Sequence, residues 1–109
     1  MKIEERLENK KHIEMAKFVD KIIRDYFWEN GPRFIQSFDD LTDKEAEHII
    51  DMGKTLLLTR DGMFIFPGHF INAVLKNDLL EAFSRADETN VKAIHWFLLI
   101  KLNIAKLNT

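Results

Sequence analysis

Residues 94–104 include Ile94, Trp96, Phe97, Leu98, Leu99, Ile100, Leu102 and Ile104, with one lysine among them. A helix of that composition is apolar nearly all round and must be either the centre of a bundle or a contact between subunits. A chain of 109 residues has few other elements with which to enclose such a helix. Self-association into a homo-oligomer is therefore the expectation. The length also limits the chain to one domain, with a radius of gyration of roughly 13 Å.

Upstream, residues 3–29 contain no glycine or proline, and Met15, Val19, Ile22 and Tyr26 recur at helical spacing beside Phe18, Ile23 and Phe27. One long helix is expected there, stopped by Asn30-Gly31-Pro32. Its first third is mostly charged, with Lys10/Glu14 and Asp20/Arg24 placed to support it at i,i+4. That third is expected to project into solvent or to lie along a neighbouring subunit. Phe34, Ile35 and Phe38 follow in a connector and are expected to plug a gap in the core. Thr42-Asp43-Lys44-Glu45 reads as a capping box, so a second helix starts at Asp43.

The end of that helix has two readings. Gly62 can close it as a left-handed cap after Arg60, or Arg60-Asp61-Gly62 can turn a short β-hairpin near residues 55–66. The helix is preferred. Pro67-Gly68 then opens a third helix over Phe70, Ala73, Val74 and Leu75. Asn77-Asp78 interrupts it or caps a fourth over residues 79–85, and Asp87 and Glu88 begin a last helix running to about Leu107. The expected fold is all-α, a small bundle of four to five helices. Residues 1–41 form a long helix and connector, and residues 42–109 a helical core.

Charge is unevenly spread. Residues 1–30 carry seven basic and seven acidic side chains, residues 31–90 six and eleven, and residues 91–109 three and none. An acidic middle disfavours duplex binding, which needs a clustered basic face. The lysines of the tail read as solubilising residues on a helix. The absence of cysteine excludes a disulfide scaffold, a thiol nucleophile and thiolate zinc sites, and fits a reducing compartment. The N-terminus is charged, and a membrane span needs about 20 apolar residues in a row. Neither a signal peptide nor a membrane span is expected, and the expected location is the cytoplasm.

The stretch from Pro67-Gly68-His69-Phe70 through Ala73-Val74-Leu75-Lys76-Asn77-Asp78-Leu79 to Ala82, Arg85-Ala86-Asp87 and Asn90 resembles a pattern found in small uncharacterised proteins of phages and prophages. It covers about a quarter of the chain. The family's usual Gly-x-Pro-Pro-Gly approach is replaced by the longer run from Gly62 to Gly68, and residues 1–41 match no pattern of that family. The resemblance implies a phage-type origin and action in the cytoplasm of a host bacterium, and no particular chemistry.

The polar residues of the motif have two readings. As structure, Asn77 and Asp87 cap helices, Glu81 pairs with Arg85 and Glu88 with Lys92. As a ligand site, Arg85 is held by Asp78 or Asp87 and turns its fork towards an anion, Asn90 or Asn77 reads a neighbouring group, and His69 adds a first-turn position where free amides attract an anion.

No nucleotide-binding glycine loop, nucleophile elbow or His-Glu-x-x-His appears, and His12, His48, His69 and His95 are scattered. The carboxylates Asp39, Asp40, Asp43 and Glu47 lack the alternation of a calcium loop. Neither an enzyme, a cofactor nor a metal site is expected. The leading expectation is an oligomeric phage accessory protein that sequesters a small, nucleotide-like anionic signal molecule. The alternatives are an inhibitor or adaptor whose acidic middle docks on a host or defence protein, and a nucleic-acid-associated accessory protein.

Overall fold

The computed structural model describes residues 3–63 and 68–107, with side chains from residue 14 onward. The charged first third of the long helix, with its Lys10/Glu14 pair, lies outside the described side chains. Helix α1 spans Ile3–Phe34 and does not stop at Asn30-Gly31-Pro32. Val19, Ile23, Phe27, Gly31 and Ile35 are spaced by four and all buried, so the core-facing row runs straight through the expected stop. The Ile35 amide donates to the Gly31 carbonyl at 2.8 Å, continuing the helical pattern past the proline. An interior proline removes one helical bond and costs about 3 kcal/mol. Burial of Ile35 and half-burial of Phe34 and Phe38 offset that cost. Gly31 has a packing role: a Cβ there would stand 2.5 Å from Cε2 of Phe38, whose ring rests 5.0 Å from Phe27.

After a left-handed Ser37 and a single 3-10 turn at Phe38–Asp40, helix α2 spans Asp43–Arg60. The capping box forms as expected. The Glu45 amide donates to the Thr42 hydroxyl and the Thr42 amide to the Glu45 carboxylate, both at 3.1 Å. Residues 55–60 are helical, so the hairpin alternative is not adopted. Ile49, Ile50, Gly53, Leu56 and Leu57 make one buried stripe of helical period, which alternation in a strand would split between two faces. The Thr55 and Thr59 hydroxyls donate to carbonyls four residues back, which accommodates them within the helix. Gly62, at φ 84°, closes α2. Its amide donates to Thr59 and that of Met63 to Leu58, the paired bonds of a Schellman cap. The second arm of the hairpin reading, residues 64–67, lies outside the described residues.

Helices α3 (His69–Leu75) and α4 (Leu79–Arg85) pack on each other across a turn in which Asn77 is left-handed, at φ 60°. The expected last helix is two elements, α5 (Glu88–Lys92) and α6 (Ile94–Asn103), divided at Ala93. That division gives six helices among the described residues. The Ala93 amide tightens onto Asn90, and the Lys92 carbonyl accepts from the Gln36 amide at 2.9 Å, tying α5 to the end of α1.

Helix α6 sits at the centre, against α1, α2, α3 and α5. Ile94, Trp96, Phe97 and Ile100 are buried, and Trp96 meets Phe27 and Phe97 at 5.7 and 5.5 Å. Each such side chain contributes about 1.5–3 kcal/mol on burial. The Trp96 indole N–H donates to the Tyr26 carbonyl at 3.4 Å. One copy of the chain therefore encloses most of the apolar helix, and Leu102 alone of its large apolar side chains is well exposed.

The helix ends at Asn103 and not near Leu107, because Arg60 captures its C-terminal carbonyls. The Arg60 guanidinium donates to the carbonyls of Ile100, Lys101, Ile104 and Ala105 at 2.7–3.2 Å. Its other edge grips the Asp61 carboxylate, which also accepts from the Leu107 amide at 3.0 Å. Burial works to raise the Asp61 pKa, but the Arg60 and Leu107 hydrogen bonds and the nearby positive charge outweigh it and hold the carboxyl below its ordinary 3.8.

A second ion network joins α1 to α2. Arg24 donates to Asp20 and, through both terminal nitrogens, to Glu47, while Lys54 reaches Asp20 at 3.0 Å. Hydrogen bonds from Lys54 and then Arg24 lower the Asp20 pKa, and the one from Arg24 lowers that of Glu47. No helix among the described residues is long and apolar enough to cross a membrane.

Candidate binding groove

Because α1 continues through Pro32, its last turn lies against the junction of α5 and α6, where the Gln36–Lys92 backbone bond fixes it. Between that junction and α4 lies a groove of about 400 Å³. Arg33, Phe34 and Gln36 line it from the end of α1, and Leu79 and Phe83 from α4. Val91, Lys92, Ile94, His95 and Leu98 complete the wall. None of the ten lining residues is acidic, in a chain with 18 carboxylate side chains.

The groove's polar groups cluster around one ring. The Arg33 guanidinium carbon lies 5.2 Å from the centroid of Phe34, and the His95 ring meets that ring edge-on at 4.8 Å. Arg33 has no carboxylate partner among the described residues. The Lys92 ammonium is steadied by Glu45 at 3.3 Å. The Thr42 amide and then Lys92 in turn hold the Glu45 carboxyl below its ordinary 4.5. An apolar floor with two phenylalanine rings, together with the Arg33, Lys92 and His95 side chains, suits a flat molecule that carries an anionic group.

None of the residues singled out from the motif lines this groove, and among them only Asp87 and Asn90 meet one another. Asp78 caps α4 by accepting from the Glu81 amide at 3.1 Å, and Asp87 caps α5 by accepting from the Asn90 amide at 2.6 Å. Seven helical residues, about 10 Å of rise, separate the two caps. Arg85 is held by Glu81 at 2.8 Å, not by Asp78 or Asp87. Asn77 accepts from the Lys101 ammonium at 2.6 Å and caps no helix, and Lys92 pairs with Glu45 instead of Glu88. His69 is exposed at the start of α3, and Asn90 is buried. Among the described residues no three His, Asp or Glu side chains group closely enough to hold a metal ion. No protein-family model matches the chain, and neither does any curated protein or solved structure.

Sequence reasoning missed Arg33, Phe34, Lys92 and His95 because it ended the helix at Gly31-Pro32 and so left Arg33 and Phe34 in a connector. The signal was present in the four-residue spacing of Phe27, Gly31 and Ile35, which keeps one helical face in register across the proline.

Proposed function

We propose that this protein acts by binding and not by catalysis, and that the groove between α1, α4 and α6 takes a small anionic, nucleotide-like molecule. The observation that carries this reading is the groove's lining, with three basic side chains around an aromatic ring and no carboxylate. Arg33 supplies the bidentate fork for a phosphate, Lys92 adds positive charge, His95 adds a polar ring edge, and Phe34 and Phe83 supply aromatic surface for a planar base. The motif of residues 67–90 supports a phage or prophage origin, and sequestering a signal molecule in the bacterial cytoplasm would blunt a host defence. This reading places the anion at Arg33, away from Arg85, Asp87, Asn90, Asn77, Asp78 and His69.

The test is native mass spectrometry of the protein from bacterial cytosol, with denaturing release of any bound molecule, followed by calorimetric titration with mononucleotides. Arg33→Ala is expected to weaken binding at least about tenfold, the loss of one charge-assisted fork. Undiminished binding in that variant removes the groove from consideration.

A second reading is favoured by α4. Leu79, Leu80 and Phe83 are 45%, 84% and 53% exposed, and two of them run into the groove. Such a row suits a protein contact, either with a second copy or with a host or defence protein. Homo-oligomerisation thus rests on α4, since α6 is enclosed within its own chain.

A further inference from the structure

The walls of the groove differ in kind. Helix α4 gives it Leu79 and Phe83 and no polar side chain, and these two, four residues apart, share one helical face. They keep 45% and 53% exposure, so this wall is apolar surface left open to water. The polar side chains, Arg33, Gln36, Lys92 and His95, come from the chain around the end of α1 and from the α5–α6 junction. Of these four only Gln36 and His95 can accept a hydrogen bond, because arginine and lysine only donate. That set serves a phosphate or carboxylate well and a sugar poorly, since each sugar hydroxyl must donate as well as accept.

We infer that the groove selects, among small anions, amphiphiles in which a phosphate or carboxylate is carried on a hydrocarbon chain. The inference rests on the reading of the groove as an anion site and specifies what the anion is attached to. The anionic head pairs with Arg33, whose guanidinium stays 5.2 Å from the centre of the Phe34 ring, and with Lys92, which Glu45 steadies at 3.3 Å. The chain then lies along Leu79 and Phe83 and takes from water the apolar surface that the fold itself leaves uncovered. A mononucleotide meets the same head site but sets its ribose against that apolar wall, which makes it the weaker occupant.

The test titrates the full chain by calorimetry with inorganic phosphate, with butyl, hexyl and octyl phosphate at concentrations where they stay monomeric, and with a mononucleotide. Affinity is expected to rise about two- to fourfold with each added methylene, complete burial setting the upper value, and octyl phosphate to bind at least about tenfold more tightly than the mononucleotide. The double variant Leu79→Ser/Phe83→Ser is expected to flatten the dependence on chain length, and Arg33→Ala to weaken every alkyl phosphate about tenfold alike. Leu102→Ser, at an exposed side chain that does not line the groove, is expected to change neither. Sedimentation with phosphatidylglycerol vesicles separates the sources of the ligand. Pelleting that Arg33→Ala abolishes assigns the head group to a membrane lipid, and octyl phosphate binding without pelleting assigns a free amphiphile. Affinity independent of chain length, or a slope unchanged in the double variant, would overturn the inference. If the mononucleotide then still binds and requires Arg33, the anion site outlasts that failure, whereas a chain that binds none of these compounds loses both.

Discussion

Replacing Arg60 with alanine tests the account of how α6 is held. The guanidinium is 16% exposed and serves four carbonyls at the end of α6, and its carboxylate partner Asp61 is 4% exposed. Removing one partner of a buried pair costs about 3–5 kcal/mol, because the remaining charge stays desolvated and unpaired. The chain's total stability is on the order of 5–15 kcal/mol, so the variant should retain its fold with a much reduced margin. In thermal terms the loss corresponds to a Tm lower by about 12–20 °C for a domain of this size. The assay is urea unfolding followed by far-ultraviolet circular dichroism at pH 7, with the midpoint shifting at constant m-value. Arg60→Lys keeps the charge but not the planar fork, and should recover only part of the loss. The double variant Arg60→Ala/Asp61→Ala should be less destabilised than the sum of its parts, since neither then strands the other. A loss below about 1 kcal/mol in Arg60→Ala, the range of ordinary surface substitutions, would refute the view that this arginine holds the end of α6.

Three further outcomes are expected. Gly31→Ala should destabilise by about 1–3 kcal/mol despite alanine's better helix propensity, because the new methyl overpacks against Phe38; Phe38→Ala in the same chain should relieve most of it, as read by urea midpoint. Asp20, Glu45, Glu47 and Asp61 all have pKa values lowered from their ordinary 3.8 or 4.5. Their contribution is complete above those values and lost as pH falls through the lowered ones, so stability should be flat from pH 7 to about 5 and decline below about 4.5; a decline that begins near neutrality would contradict the assignment. Leu80→Lys, on a side chain already 84% exposed, should change stability by less than about 0.5 kcal/mol and, if α4 carries self-association, convert oligomer to monomer in sedimentation velocity.

Local signals were legible where they act locally. Thr42 and Glu45 satisfy each other's backbone within one turn, and Asp78 and Asp87 each accept from the amide three residues on at the starts of α4 and α5, so helix starts could be read from four-residue windows. Helix ends were harder to read, because distant residues set them. Nothing between Ile94 and Leu107 announces that α6 stops at Asn103, since the groups responsible sit at Arg60 and Asp61. Gly31-Pro32 was read as a stop on the general behaviour of proline, and the ring of Phe38 reversed it by requiring a residue without a side chain beneath it. The enclosure of α6 shows the same limit: its composition demanded cover but did not say whose. The groove was illegible for a related reason. Arg33 and His95 carry no motif and meet only because α1 runs on to the α5–α6 junction.

The chain has no cysteine, yet side chains of Arg60 and Asp61 fasten its C-terminal segment to the middle through hydrogen bonds to the carbonyls of Ile100, Lys101, Ile104 and Ala105 and the amide of Leu107. The fastening between Asp61 and Leu107 spans 46 positions and is indifferent to redox state. Unlike a disulfide, it leaves the unfolded chain unconstrained and is made only with the fold. It also brings together the two ends of the segment that holds α3, α4, α5 and α6. Doubling the length of a closed loop costs only about 0.6 kcal/mol in closure entropy. The turns within that segment can therefore be lengthened or exchanged as a cassette while Arg60 and Asp61 hold its ends in place.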